Sequence, residues 1–176
     1  KSLLDLNFFL TSPNIYFIII FFIIFYSKMV SSISIKTKFG WISAFEEKGK
    51  IYKVKFGKYK DKSISNNLKK FKANLNNFLE RKSKFIKSNY LIKGNRIQKK
   101  IWNELKNIRF GETKTYGEIA KKYKISPRHV GKICSQNKIV LVIPCHRVIR
   151  SDGSLGGFSA PGGVLLKKKI LDFEKN

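Results

Sequence analysis

Two helix starts follow each other closely in the second half of this chain, and they restrict its fold more than any other feature. Thr115, with Glu118 three residues later, forms a capping box that opens a helix over 116–123. Ser126 followed by Pro127 then gives a cap with proline at the first helical position. The second helix turns Val130, Ile133 and Cys134 inward, the last as an inert buried thiol, and leaves Arg128, Lys132 and Gln136 facing elsewhere. Two short helices joined by so tight a turn read as a helix-turn-helix. Such pairs also occur in ordinary cores, so nucleic-acid binding and plain packing are both open at this point.

The segments around the pair fix the fold class. Residues 35–45 and 51–56 are strand-like and are separated by a turn over 46–50 that takes in Glu46 and Glu47. Leu68, Phe71, Leu75, Phe78 and Leu79 recur at helical spacing, and 89–96 reads as a linker. Ile97, Ile101, Trp102, Leu105 and Ile108 make a second helical stripe with Trp102 as a core anchor. Residues 139–143 are apolar and largely β-branched, which predicts a buried strand or extended run into Pro144. Gly153, Gly156 and Gly157 lace the loop that follows. Leu165, Leu166, Ile170, Leu171 and Phe173 predict a closing helix that returns Glu174 to the core. The expected architecture is α+β: a small N-terminal α/β domain with an antiparallel sheet over 29–92, then a mainly helical domain containing the helix-turn-helix over 93–176.

Residues 1–28 stand apart. The unbroken apolar run over 15–26 falls short of the ~20 residues needed to span a bilayer, and extending it backwards takes in Thr11, Ser12, Pro13 and Asn14. It is read as an apolar leader, anchored with Lys28 on the cytoplasmic side, or as sequence upstream of a true start at Met29, the one methionine. The balance of 37 Lys plus Arg against 11 Asp plus Glu gives a formal charge of +26, which favours polyanionic partners, although a lysine-rich proteome alone produces such a balance. Two cysteines, Cys134 and Cys145, and two histidines exclude a disulfide framework and leave no set of ligands for a metal. A lone reactive thiol fits a reducing compartment, the cytoplasm.

The chemistry concentrates in Pro144-Cys145-His146-Arg147-Val148, which places a thiol, an imidazole and a guanidinium side by side. Attack by Cys145 requires a poised, deprotonated sulfur, which a nearby imidazole or positive surroundings supply. In an extended backbone Cys145 and His146 point to opposite faces, so contact between them needs a turn or a bridging water. Asp152, Asp172 and Glu174 are the carboxylates within reach to orient the far nitrogen of His146. A cysteine hydrolase and an inert buried thiol are the competing readings on spacing alone.

Pro144-Cys145-His146-Arg147-Val148 resembles the active-site signature of the O6-alkylguanine-DNA alkyltransferases, or methylated-DNA–protein-cysteine methyltransferases. The likeness runs over 97–174, through the turn and first helix at 111–120 and through Arg128-His129-Val130-Gly131 with Asn137. In outline it reaches back to 37–42. The resemblance implies a single-turnover repair protein that binds double-stranded DNA containing O6-alkylguanine through the minor groove, as a monomer, with no cofactor, metal or obligate protein partner. It implies that Cys145 takes the alkyl group, that His146 oriented by Glu174 is the base, and that Tyr116 donates to the leaving guanine. It further implies that Arg128 fills the space of the rotated nucleotide and that Asn137 ties the two halves of the site together. Ser159, the carbonyls of Cys145 and Val148, and the Phe158 wall would hold the base, while Arg147 and Lys132 belong with the DNA-binding residues. Phe158 stands where many relatives have tyrosine, and Ala160-Pro161 enlarges the loop. A non-catalytic protein that binds alkylated DNA is the alternative.

Overall fold

The computed structural model describes residues 30–175, and the leader expected over 1–28 lies outside the described residues. Three strands, β1 (Val30–Thr37), β2 (Gly40–Glu47) and β3 (Lys50–Phe56), form one sheet in that order, with β2 and β3 antiparallel. The single strand expected over 35–45 is therefore two. Thr37 Oγ1 breaks it, donating to the carbonyl of Gly40 (2.6 Å) and accepting from the N–H of Phe39 (3.1 Å). The next turn is tighter than expected. Glu47 pairs with Lys50, so only Lys48 and Gly49 lie outside the ladder, both at positive φ (50° and 72°), as a two-residue hairpin demands.

Glu46 and Glu47 thus belong to β2 rather than to the turn. Glu46 is buried and accepts from Ser65 Oγ (2.9 Å) and Asn67 Nδ2 (2.7 Å). Ser65 is also the N-cap of α1 (Asn66–Leu79), so this carboxylate pins the helix start to the sheet. Along α1, Leu68, Phe71, Leu75 and Phe78 are buried, as their spacing predicts.

Residues 89–91 run beside β3, exchanging backbone bonds with Ile51, and lead to α2 (Arg96–Lys106). Trp102 of α2 is buried and donates through Nε1 to the carbonyl of Ile133 (3.1 Å), which makes it the core anchor expected. The helix pair follows as α3 (Tyr116–Tyr123) and α4 (Pro127–Ser135). Thr115 and Glu118 form the capping box, Lys124 ends α3 in the left-handed conformation, and Ser126 Oγ accepts from the N–H of His129 (3.2 Å).

One residue without a motif sets the pair against α2. Glu104 is buried and accepts from Lys114 Nζ (2.9 Å), Lys122 Nζ (2.6 Å) and the Tyr123 hydroxyl (3.2 Å). The hydrogen bond from Lys122 leads the effects that bring its carboxyl down to about 2.

Residues 139–143 are buried as expected, but they form no strand. The chain turns at Leu141 (φ 68°) and meets β3 in a single isolated bridge, Ile139 with Val54. A short parallel pair, β4 (Lys114–Thr115) with β5 (Val148–Ile149), brackets the cysteine turn. The closing helix α5 (Gly163–Lys175) buries Leu166, Lys167, Ile170, Leu171 and Glu174. Leu165, expected in its apolar stripe, is 74% exposed, and the core position is taken by a lysine.

Candidate active site

Pro144 leads into a single 3-10 turn, Cys145–Arg147, which replaces the extended backbone that would have set Cys145 and His146 on opposite faces. Successive residues of such a turn diverge by roughly 120°. Cys145 lines a cavity, while His146 and Arg147 both reach Glu174 on α5.

Cys145 is 6% exposed, and its sulfur takes a hydrogen bond from Asn137 Nδ2 at 3.2 Å. The same amide donates to the carbonyl of Ile143 (2.8 Å), and its Oδ1 accepts from the N–H of Ile139 (2.9 Å). Asn137 therefore joins the end of α4 to the approach to the cysteine. Burial pushes the Cys145 thiol up, against the pull of Asn137 and of the Lys167 charge. The resting group is the thiol, so the deprotonated sulfur expected from sequence must be generated during reaction.

The means of generating it lie next door. Of the three candidate carboxylates Glu174 is the one that reaches His146, with Oε1 at 2.9 Å from Nε2. Asp152 instead accepts from the N–H of Ser154. Burial holds the imidazole below its ordinary pKa, hence neutral. A carboxylate at Nε2 fixes the proton there, which leaves Nδ1 as the acceptor. That nitrogen is buried and has no hydrogen-bond partner among the described residues. Burial would raise Glu174, but hydrogen bonds from His146 and Arg147 override it and hold the carboxyl at about 2.

Arg147 corrects the reading that grouped it with the DNA-binding residues. It is buried, donates from Nε and Nη2 to Glu174 (2.8 and 2.9 Å), and donates from Nη1 to the carbonyl of Ile108 (2.7 Å). Val148 is likewise fully buried, and its carbonyl accepts from Lys167 Nζ (2.6 Å) rather than opening onto the cavity. Lys132 is exposed on α4 and lies outside the cavity lining.

The cavity has a volume of about 730 Å³. Tyr116, Arg128, Gly131 and Cys134 line it from the helix pair; Gly156, Gly157, Phe158 and Ser159 line it from the glycine loop. A volume in this range suits one small organic group. Burial raises the Tyr116 hydroxyl to about 12, so it stays protonated and keeps its proton available to a ligand in the cavity. Gly156 (φ 66°) packs against the Tyr116 ring so closely that a Cβ there would sit 3.0 Å from a ring carbon. Phe158 meets Phe56 of β3 edge-on at 6.4 Å between centroids. Arg128 is exposed in the first turn of α4, and the Ser159 hydroxyl lies 3.5 Å from the carbonyl of Ser135. Cys134 is buried as expected, but it faces this cavity, and burial raises its thiol far above the ordinary value.

Sequence reasoning missed Lys167 altogether. Its position among the apolar residues of α5 was the available signal, because a lysine on a buried face must find acceptors. Burial lowers its ammonium to about 8. Among the described residues no group of three or more His, Cys, Asp or Glu is placed to hold a metal ion.

Comparison with known proteins points one way. Residues 96–176 match the family model described as 6-O-methylguanine DNA methyltransferase, DNA binding domain. A methylated-DNA–protein-cysteine methyltransferase of Metallosphaera sedula is 36% identical over 139 residues, covering 77% of this chain and 87% of that protein. One from Sulfolobus acidocaldarius is 49% identical over 80 residues, covering 46% of this chain and 50% of that protein. The chain thus spans only about half the length of some of its relatives. The crystal structure of the Mycobacterium tuberculosis O6-methylguanine methyltransferase superposes with a TM-score of 0.73 at 25% identity, covering 84% of this chain and 93% of that one. A structure of the same mycobacterial protein in complex with DNA gives 0.72 at 25% identity, over 82% and 92%.

Proposed function

We propose, from the premise that this chain belongs to the methylated-DNA–protein-cysteine methyltransferase family, that it repairs O6-alkylguanine in duplex DNA by irreversible alkyl transfer to Cys145. The observation that carries this reading is the placement of the sulfur, bonded to Asn137 in the wall of a cavity of about 730 Å³, with the neutral imidazole of His146 on the adjoining residue bonded to the ionised Glu174.

The chemistry follows from these groups. An enzyme cannot reach its target atom inside a stacked duplex, so the damaged nucleotide rotates outwards. Arg128, at the exposed start of α4, occupies the space it leaves when α4 lies in the minor groove. The base enters the cavity beside Tyr116 and Phe158. The thiol proton passes through a bridging water to His146 Nδ1, and Glu174 stabilises the imidazolium that forms. The sulfur attacks the alkyl carbon in line; the S–C bond forms as the C–O6 bond breaks, and the electron pair stays on the guanine. Tyr116, held protonated, donates a hydrogen bond to that developing charge. The product is a thioether, whose S–C bond is stable in water, so each molecule acts once.

The same reading makes the protein a cytoplasmic monomer that needs neither cofactor nor metal, with a scaffold over 29–92 and the transfer machinery over 93–176. The test is an intact-mass measurement after incubation with a duplex bearing one O6-methylguanine. We expect a gain of one methyl, on the peptide holding Cys145. Bound duplex with unchanged mass would replace transfer with non-catalytic damage binding, and product beyond one equivalent would indicate a hydrolase.

A further inference from the structure

Lys167 is one of the largest fully buried side chains of the molecule, and the mechanism above does not use it. It projects from α5 beneath the glycine loop. Its Nζ donates to the carbonyl of Val148 (2.6 Å), where the loop begins, and to those of Leu155 and, at 3.5 Å, Gly157. Residues 156–159 supply one wall of the cavity, and Gly156 packs on Tyr116. The ammonium also lies 5.7 Å from the Tyr116 ring centroid. A loop rich in glycine has little side-chain packing to hold its shape, and an internal cation bonded to its carbonyls supplies what packing does not.

We propose that Lys167 is a positioning residue for the transfer, fastening the carbonyls of Val148, Leu155 and Gly157 from within the core so that the loop keeps the pocket at the shape of the extruded base. The inference rests on the reading of Cys145 as the alkyl acceptor. The lysine's depressed pKa, about 8, fits a cation retained in the core for its acceptors. Its charge also pulls the Cys145 thiol down, and the experiment must separate that effect from the loop.

The experiment compares Lys167→Met with wild type in two single-turnover reactions at Cys145. One is methyl transfer from an O6-methylguanine duplex, and the other is alkylation by iodoacetamide, which needs no base pocket. We expect duplex transfer to fall by about ten- to a hundredfold, because a small misplacement of a bound substrate costs that much. Iodoacetamide alkylation should change by less than about threefold. Lys167→Gln, which keeps an N–H donor without the charge, should recover a measurable part of the duplex rate. Equal losses in both reactions would show that the lysine acts on the sulfur alone and would overturn the proposal. So would an unchanged duplex rate, or identical behaviour of the Met and Gln variants. Should the Met variant not fold, the Gln variant carries the comparison; failure of both to fold makes Lys167 a general core determinant and overturns the proposal. A wild-type protein that gains no methyl at all would overturn the reading of Cys145 as well.

Discussion

Two walls of one cavity each present a buried thiol, and only one of them is equipped to react. Cys134, on α4, has no hydrogen bond to its sulfur among the described residues. Cys145, on the 3-10 turn, takes a hydrogen bond from Asn137 and adjoins the chain His146–Glu174–Arg147. Burial raises both thiols, so burial does not distinguish them. Polar connection does. A sulfur with a donor beside it and a neutral base next door can release its proton when substrate arrives, whereas a buried sulfur with neither cannot.

The largest expected effect tests the comparison directly. Cys145→Ala should abolish methyl transfer while duplex affinity stays within a few-fold, and Cys134→Ala should transfer at close to the wild-type rate. Single-turnover assays and gel shifts decide it; if Cys134 proved the essential sulfur, the contrast between the walls would be broken. Glu174→Gln comes next. It leaves Arg147 buried without its counter-charge, at a cost of about 3–5 kcal/mol in urea denaturation, and slows transfer by about a hundredfold or more by disabling the base. The pH dependence has a definite sign. Glu174 sits at about 2 in the folded protein against 4.5 ordinarily, so its contribution is fully present above about 4.5 and is lost as pH falls from there towards 2. The Gln variant should lack that part of the acid sensitivity.

A smaller effect is expected from Arg128→Ala, which leaves the sulfur's surroundings intact. Duplex repair should slow by about tenfold, with less change when the free base O6-methylguanine is the substrate. Equal loss on the two substrates would remove Arg128 from nucleotide extrusion.

Much of this was legible in the chain. The caps at Thr115 and Ser126 are local devices, so their residues alone placed α3 and α4. The helical stripes of α1 and α2 carried their own periodicity. Spacing left Glu174 as one of three carboxylates near His146; the resemblance named it, and the folded-back helix brings its Oε1 to 2.9 Å from Nε2. What stayed hidden depends on distant partners. The roles of Glu104 and Lys167 are set by where other elements place their donors and acceptors, and no local pattern encodes that. Arg147 and Val148 were misplaced for a related reason: a motif shows which residues travel together, but not which face of a tight turn each takes. The buried strand or extended run expected over 139–143 is buried but neither paired along its length nor extended through Leu141 (φ 68°), because β-branched residues favour burial and extension without supplying a neighbour to pair with.

A three-stranded sheet has two rims, each an open row of amide donors and acceptors on which another chain could build. Here neither is left bare: residues 89–91 and 138–140 cover stretches of β3, and Lys62 bonds reciprocally to Ser32 on β1. One of those covers is the stretch that leads into the cysteine turn. Separating it from the sheet would therefore uncover a sticky margin, and the detached N-terminal piece should self-associate through it.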